Sequence, residues 1–219
     1  GAKITSAEEL FISSELIIKV KEPVLKELDY INKDHILFTY LHLAGNASQA
    51  FALAETGVTA IAYETVTSDH EPLPLLSPMS EIAGQLAFVV GSNYLLKHNM
   101  GVGKLLGYST ELDPAIVTVV GAGAAGKQVI LKAVANGAHV KIIDLSVQKL
   151  TELEAEFGTS NIEYIKSSPA AILAAVKKTD LLIGAVYVVG KTAPKVFTVD
   201  MINSMKPGSV FVDISIDQG

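Results

Sequence analysis

The most informative features of this sequence are what it lacks: cysteine, tryptophan and an excess of positive charge. Without cysteine, the chain can form neither a disulfide framework nor a thiolate metal site. Because aromatic residues make up only 6% of the chain, its core must be aliphatic, which is the composition that buried parallel sheets favour. The formal net charge of −6 argues against nucleic acid or an anionic membrane as a partner.

Metal-binding and membrane-spanning patterns are also missing from the sequence. The apolar stretch from Ile82 to Leu96 is too short for a transmembrane helix. We expect no metal site, because four histidines lack partners at metal-ligand spacing: His35, His70, His98 and His139. Together these absences favour a cytoplasmic protein.

The strongest signal that is present is a Gly-x-Gly-x-x-Gly motif at Gly121, Gly123 and Gly126. It follows the β-branched stretch from Ile116 to Val120 and opens a helix-compatible one, which is the context of a dinucleotide-binding unit. In such a unit the first glycine permits a tight turn, the second lets the backbone approach a pyrophosphate, and the third allows close helix–strand packing. Asp144, at the end of the next β-rich run, can accept hydrogen bonds from a ribose 2′-OH, which favours NAD over NADP. The alternative is a plain βαβ unit whose glycines only make a turn.

The first 66 residues alternate between strand and helix patterns. Strands are predicted at Leu16 to Val20, Ile36 to Leu41 and Val58 to Tyr63, and helices are predicted behind the N-caps Ser6 and Asn46. Strands separated by helical crossovers predict a parallel sheet. Three strands are fewer than a typical sheet contains, so we expect residues 1–76 to form an incomplete α/β domain of the flavodoxin-like kind.

A long helix is predicted after a proline-rich linker. Pro78 would occupy the first helical position behind Ser77, and the run to Asn99 would span roughly 33 Å at 1.5 Å per residue. We interpret residues 77–100 as a helix that bridges two domains, and its small residues indicate close packing: Ala83, Gly84, Ala87 and Gly91. Residues 101–219 follow the pattern of a doubly wound, parallel-sheet Rossmann domain with five strands, one fewer than the usual six.

Eight segments, in order along the chain, resemble those of the alanine dehydrogenase family and, through it, the NAD-binding subunit of proton-translocating transhydrogenase. They are KVKEP (19–23), ILFTYLHLA (36–44), IAYETV (61–66), LPLLSPMSEIAG (73–84), GAGAAG (121–126), LIGAV (182–186), AP (193–194) and MKPGSVFVDISIDQG (205–219). The first of them favours alanine dehydrogenase over transhydrogenase. The resemblance implies NAD-dependent oxidative deamination of L-alanine to pyruvate and ammonia. It also implies a hexamer, built in part through the small residues of the long helix.

The resemblance implies catalytic roles for three residues. Lys21 would hold the substrate's carbonyl or carboxylate, His42 would be the general acid and base, and Asp217 would lie beside the nicotinamide. An imidazole suits that role because it takes up and releases protons near neutral pH. From the residues alone, each has a simpler interpretation: a solvated lysine at a strand edge, a core histidine and a turn aspartate. Glu64, at the end of a predicted strand, could line a ligand site, but a capping or salt-bridge role is favoured.

For the cofactor, the resemblance implies that Ser80 contacts the phosphates and that Asp144 and Lys149 lie at the adenosine ribose. The family's chains are longer at both ends, include an arginine that grips the substrate carboxylate, and differ from this chain in the loop at residues 107–112. We therefore expect the intact parent to be the enzyme, and the 219 residues alone to be a poor catalyst that associates with itself. Two alternatives stay open: a non-catalytic NAD-binding module that self-assembles, and an NAD-binding subunit of a transhydrogenase.

Overall fold

In the computed structural model, the described residues (1–70, 73–107, 111–190 and 193–216) form two compact α/β units. The first unit contains the described residues up to Leu76 together with residues 189 and 190, and the second contains the remainder, beginning at Ser77. Parallel sheets with helical crossovers form the framework of both units, as the alternating pattern predicts. None of the helices built from the described residues is long and apolar enough to cross a membrane.

The first unit is built on three parallel strands. Its elements are α1 (Ala7–Ser13), β1 (Leu16–Ile18), α2 (Leu25–Leu28), β2 (Ile36–Thr39), α3 (Ala47–Glu55) and β3 (Thr59–Ala62). The strands lie in the order β1-β2-β3 and pair in parallel, as predicted. Both predicted N-caps form, with Ser6 Oγ and Asn46 Oδ1 each 3.2 Å from the backbone nitrogen three residues on.

One face of this sheet is buried and the other is open. Ile17 and Leu37 lie in a core that they share with Phe11 of α1 and Leu53 of α3. The residues that alternate with them lie on the opposite face and are between 41% and 63% exposed: Leu16, Ile18, Ile36 and Ile61. Both faces of a parallel sheet are normally covered. The described residues therefore leave one apolar face of this sheet without a covering layer.

The second unit contains five parallel strands flanked by helices. Its elements are α4 (Ser77–Tyr94), β4 (Ile116–Val120), α5 (Ala124–Ala135), β5 (His139–Asp144), α6 (Val147–Phe157), β6 (Ile162–Lys166), α7 (Pro169–Val176), β7 (Leu181–Gly184), α8 (Val199–Asn203) and β8 (Val210–Asp213). The strands lie in the order β6-β5-β4-β7-β8. The direction of winding reverses between β4 and β7, which is the switch point at which doubly wound sheets bind ligands. The predicted Rossmann fold with five strands is confirmed.

Helices cover both faces of this second sheet. On one face, Val117, Val119 and Ile142 pack with residues of α4 and α5. On the other face, Val120 and Ile143 pack with residues of α7. Because side chains on both faces are buried, β4 and β5 consist of almost continuous apolar runs instead of alternating ones.

The predicted helix from Pro78 to Asn99 is shorter in the structure, because α4 ends at Tyr94. Beyond that residue the chain turns back on the helix end: the N–H of Gly103 donates to the carbonyl of Leu95 at 2.7 Å, and Met100 has a left-handed φ of 62°. Leu95 is buried in the core and therefore extends the apolar sequence pattern beyond the helix, although it lies in a turn. The 18 residues of α4 span about 27 Å at 1.5 Å per residue.

The small residues of α4 pack inside the second unit. A Cβ at Gly84 would lie 2.1 Å from the carbonyl oxygen of Ala125 in α5, and one at Gly91 would lie 2.5 Å from the side chain of Leu181 in β7. The predicted close packing against another helix is confirmed. Three of the four small residues, Gly84, Ala87 and Gly91, are buried within their own chain, so these three are not free to pack against a second subunit. The exposed side of α4 carries large apolar residues between 56% and 60% exposed: Ile82, Leu86 and Val89.

A buried ion-pair network closes the amino-terminal end of the second sheet. The Asp180 carboxylate, only 1% exposed, accepts a hydrogen bond from the N–H of Ile116 (2.8 Å) and pairs with Lys104 (3.1 Å) and Lys206. Burial opposes ionisation, but these three partners hold the pKa of Asp180 below its ordinary value. The partners come from separate segments, so the carboxylate ties the start of β7 to the start of β4 and to two loops.

Asp180→Asn should lower the free energy of unfolding by about 1–3 kcal/mol at neutral pH, because two ammonium groups lose their charged partner. Since the folded state lowers the pKa of Asp180, this contribution is present above the ordinary value of about 3.9. It is lost as the pH falls through the lower folded-state value. Urea titrations of both proteins at neutral and acidic pH should therefore show a difference that shrinks below about pH 4. The exposed-site control Asp200→Asn should change stability by no more than about 0.5 kcal/mol, and a pH-independent difference for Asp180→Asn would contradict the assignment.

Candidate active site

The glycine-rich turn joins β4 to α5 at the switch point of the second sheet. Gly121 has a φ of +95°, and a Cβ there would lie 2.5 Å from the carbonyl oxygen of Ala185, just after β7. A Cβ at Gly126 would lie 1.9 Å from the carbonyl oxygen of Gly121. No side chain fits at either position: the missing Cβ at Gly121 lets the turn pass the segment after β7, and the missing Cβ at Gly126 lets the first turn of α5 approach the glycine-rich turn.

Gly123 has a different role in the same turn, because a Cβ there would meet no atom within 4 Å. It is the N-cap of α5, and no side chain caps the helix. The first N–H groups of a helix have no partner within the helix, and together with the helix dipole they favour an anion. The turn therefore presents an open cradle at a helix N-terminus, which fits a pyrophosphate.

Asp144 lies at the carboxyl end of β5, where its side chain is 11% exposed. Its Oδ2 accepts a hydrogen bond from the N–H of Ala122 (2.8 Å), and its Oδ1 accepts one from the N–H of Ser146 (2.9 Å). Lys149 Nζ is 3.8 Å from Oδ2. Asp144 thus anchors the glycine-rich turn to the next strand, a role that the motif alone does not suggest. A carboxylate has about four lone-pair sites, so it can still accept a hydrogen bond from a ribose.

Ser80 lies in the first turn of α4, on the face that packs against α5. It precedes Gly84 by one helical turn, and residues four apart share a helix face. Gly84 in turn packs against Ala125, in the first turn of α5. The second unit therefore places Ser80 on the side of α4 that faces the start of α5. Asp217 and part of the loop at residues 107–112 lie outside the described residues.

A cavity of about 430 Å³ lies at the carboxyl ends of β7 and β8. Gly184, Val186, Phe197 and Phe211 contribute to its mainly apolar wall, and Asp213 is a polar group in it. The residue that follows β7, Ala185, is the one that contacts the glycine-rich turn. Ala185 lies between the lining residues Gly184 and Val186, so the cavity begins close to the glycine-rich turn.

In the first unit, Lys21 and His42 follow the carboxyl ends of the neighbouring strands β1 and β2. The pairing of the two segments continues past the regular strands, since the N–H of Tyr40 donates to the carbonyl of Val20 (3.2 Å). The buried hydroxyl of Thr39 donates to the carbonyl of Lys21 (2.9 Å). The main chain at Lys21 is therefore held in place, while its side chain is exposed.

His42 is held by contacts to two glutamates from other segments. Its main chain is left-handed (φ 49°), and its N–H donates to Glu64 Oε1 at 2.8 Å. The N–H of Leu41 also donates to this carboxylate, at 3.2 Å. The His42 ring nitrogen Nδ1 lies 3.2 Å from Glu22 Oε2. Glu64 thus caps the end of β2, as the favoured interpretation of the sequence has it.

The surroundings of His42 perturb two further groups. Burial of Glu22 opposes its ionisation, but its own backbone N–H, the His42 ring and the charge of Lys21 together hold the pKa of this carboxyl below its ordinary value. The Tyr40 ring stacks on the His42 ring with centroids 5.9 Å apart. Burial and the nearby Glu64 raise the pKa of the Tyr40 hydroxyl, which donates to the carbonyl of Leu75.

Sequence reasoning missed Glu22 as a partner of the histidine. It is part of the KVKEP segment, and its position directly after Lys21 is the signal that could have identified it. Among the residues that the structure describes, no group of three or more His, Asp and Glu side chains could hold a metal ion. The polar groups of this site suit proton transfer and the binding of an anion.

Two family models together cover almost the whole chain. The model of the alanine dehydrogenase/PNT N-terminal domain matches residues 1–83. The model of the alanine dehydrogenase/PNT C-terminal domain matches residues 87–219. The N-terminal model thus covers most of the first unit, and the C-terminal model covers most of the second unit.

Individual proteins agree with the family models. The chain is 45% identical to the alanine dehydrogenases of Methanococcus maripaludis and Bacillus subtilis, and its whole length aligns with each. It spans 59% of the first of these relatives and 57% of the second.

Solved structures lead to the same family. An L-alanine dehydrogenase has a TM-score of 0.84 and 43% identity, over all of this chain and 60% of that one. A transhydrogenase from Sinorhizobium meliloti has a TM-score of 0.74 and 26% identity, over all of this chain and 64% of that one. Because the family models, the named relatives and a solved structure all match from the first unit to the second, the chain belongs to the alanine dehydrogenase/PNT family.

Proposed function

We propose that this chain binds NAD and that the intact protein catalyses the NAD-dependent oxidative deamination of L-alanine. L-Alanine, NAD⁺ and water give pyruvate, ammonium, NADH and a proton. The observation that carries the proposal is the 43–45% identity, across the whole chain, to proteins named alanine dehydrogenase. The similarity to a transhydrogenase is weaker, at 26% identity, so that alternative is not favoured.

The second unit supplies the groups that would hold the cofactor. The N–H groups at the start of α5, beside Gly123, would bind the pyrophosphate. The Ser80 hydroxyl would donate a further hydrogen bond to the phosphates. Asp144 would accept a hydrogen bond from the adenosine ribose, with Lys149 beside it. All 17 positive residues of the chain are lysines, so no arginine in it can clamp the 2′-phosphate of NADP. These features support NAD as the cofactor.

The first unit supplies the groups that would act on the substrate. When bound, NAD would supply the hydride acceptor for the substrate Cα. The Lys21 ammonium would orient the substrate's carboxylate and polarise its carbonyl. The His42 imidazole would take the proton that leaves as the amine becomes a C=N group, and would exchange protons with water as this group becomes C=O. Asp217 would act beside the nicotinamide, by the motif match alone.

The apolar surfaces support a homo-oligomer, and the family resemblance implies that it is a hexamer. The open face of the first sheet and the exposed side of α4 both carry large apolar side chains, and surfaces of this kind mark interaction sites. Because the chain spans less than two thirds of its relatives, we propose that the 219 residues alone are a poor catalyst. We propose that the protein is located in the cytoplasm.

Two glycine variants separate the fold from cofactor binding. Gly126→Ala should lower stability by about 1–3 kcal/mol, because a methyl group is forced against the backbone. Gly123→Ala should leave stability unchanged within about 0.5 kcal/mol, since its methyl meets no protein atom within 4 Å. The affinity of Gly123→Ala for NADH should nevertheless fall by about tenfold or more, or about 1.4 kcal/mol. Thermal melts and fluorescence titrations with NADH measure both effects, and normal NADH binding by Gly123→Ala would mean that the glycines only make a turn.

NADH should bind more tightly than NADPH, because the Asp144 carboxylate would repel a 2′-phosphate. Asp144→Asn keeps an acceptor for the N–H of Ala122 but removes the charge, so NADPH should gain affinity relative to NADH. Asp144→Ala should weaken NADH binding by about 1.5–3 kcal/mol, the usual effect of losing a hydrogen bond to a charged group. Titrations of both cofactors measure these changes, with Lys149→Ala as the control that removes the neighbouring cation. Tighter binding of NADPH by the unmodified protein would refute the prediction.

Lys21→Ala and His42→Ala should impair turnover but not folding in a protein that oxidises alanine. Both residues follow strand ends and neither is buried, so the melting temperature should change little. The rate of alanine-dependent NADH formation should fall by roughly 10²-fold or more, as when a positioned proton-transfer group is lost. The exposed-site controls Lys26→Ala and His98→Ala should keep normal rates. Near-normal turnover by His42→Ala would show that another group moves the proton.

A further inference from the structure

His42 is held by two carboxylates that follow different strands of the first sheet. Glu64, which follows β3, binds the main chain of His42, with Oε1 2.8 Å from its backbone nitrogen. Glu22, which follows β1, binds the imidazole, with Oε2 3.2 Å from Nδ1. The two contacts act on different parts of the residue and therefore have different consequences.

The Glu64 contact fixes the main chain of His42 and therefore the point from which its side chain projects. His42 has a left-handed main chain, with a φ of 49°, which few residues other than glycine adopt. The Glu64 carboxylate is buried and accepts the N–H groups of both Leu41 and His42, which compensates for that conformation. The turn after β2 is thereby fixed.

The Glu22 contact controls which ring nitrogen carries the proton. An ionised carboxylate can only accept hydrogen bonds. Burial opposes the ionisation of Glu22, but its own backbone N–H and the charge of Lys21, both independent of the histidine, help to hold its pKa below the ordinary value. The atom that faces it, Nδ1, must therefore be protonated. The tautomer of a histidine is set in this way by the hydrogen bond of one ring nitrogen. The stacked Tyr40 ring, inclined by only 15°, limits the rotation of the imidazole.

We propose that Glu22 is the positioning residue of His42: it fixes the neutral ring as the Nδ1–H tautomer and so leaves Nε2 as the atom that accepts and returns the proton. Glu22 itself touches no reacting atom in this scheme. The proposal rests on the proposed function only in one respect, namely that His42 moves the proton in the oxidation of alanine. The orientation of the ring follows from the geometry of the first unit alone. In a catalytically active protein, loss of Glu22 should lower kcat more than it raises KM, because substrate binding by Lys21 is retained.

The tautomer can be measured directly on the ¹⁵N-labelled 219-residue protein. Correlation spectra between the imidazole nitrogens and the ring carbon-bound protons distinguish the two neutral forms at a pH where the ring has lost its extra proton. We expect the Nδ1–H form for His42 in the unmodified protein. In Glu22→Ala we expect a shift to the Nε2–H form, which predominates for free histidine in water. Glu27→Ala is the matched control, because it removes a half-buried glutamate of the same unit whose partner is Lys19.

The amide proton of His42 reports separately on the Glu64 contact. Its chemical shift should stay constant in Glu22→Ala, which would show that the turn is intact while the tautomer changes. If Glu22→Ala does not fold, Glu22→Gln keeps the size of the side chain, and its amide, which can donate as well as accept, should yield a mixture of tautomers. An Nε2–H ring in the unmodified protein, or an unchanged Nδ1–H ring in the variant that folds, would overturn the proposal. Failure of NADH to bind would refute the proposed function and leave this result unaffected.

Discussion

The second unit depends on one close contact, the approach of the glycine-rich turn to the first turn of α5. A Cβ at Gly126 would lie 1.9 Å from the carbonyl oxygen of Gly121, so the contact exists only because Gly126 lacks a side chain. It sets the helix start directly over the end of β4. The free N–H groups of α5 are thereby aimed at the switch point of the sheet, where a phosphate can approach. Asp144 secures the same turn from the neighbouring strand through the N–H of Ala122.

The first unit also gathers its functional groups at the carboxyl ends of parallel strands, but the groups differ in chemistry. Parallel strands bring their carboxyl ends to one edge of the sheet, and the segments after β1, β2 and β3 therefore place Glu22, His42 and Glu64 together. Carboxylates there hold a histidine in a defined position, whereas in the second unit backbone N–H groups form an anion site. One unit thus offers groups suited to proton transfer, and the other offers N–H groups suited to an anion.

Local patterns predicted the secondary structure well because their causes are local. The caps at Ser6 and Asn46 form within a single helical turn, and the apolar run of β4 reflects burial on both faces of the sheet. The long helix was overestimated where apolar residues continued beyond Tyr94, since Leu95 is buried in a turn. Composition also indicated that the small residues of α4 pack closely, but it could not tell a neighbour in the same chain from one in another subunit.

The sequence by itself determined the α/β class, the glycine-rich turn, the acid at the end of β5 and the family. It did so because each depends on residues that are close together or on an ordered set of motifs. Only the tertiary structure decided that Glu22 and Glu64 hold His42, and that Asp144 holds the glycine-rich turn. These pairs are separated by about 20 residues or more of chain. No periodicity or spacing encodes their distance, which is fixed only when strands pair in register and their ends meet at one edge of a sheet.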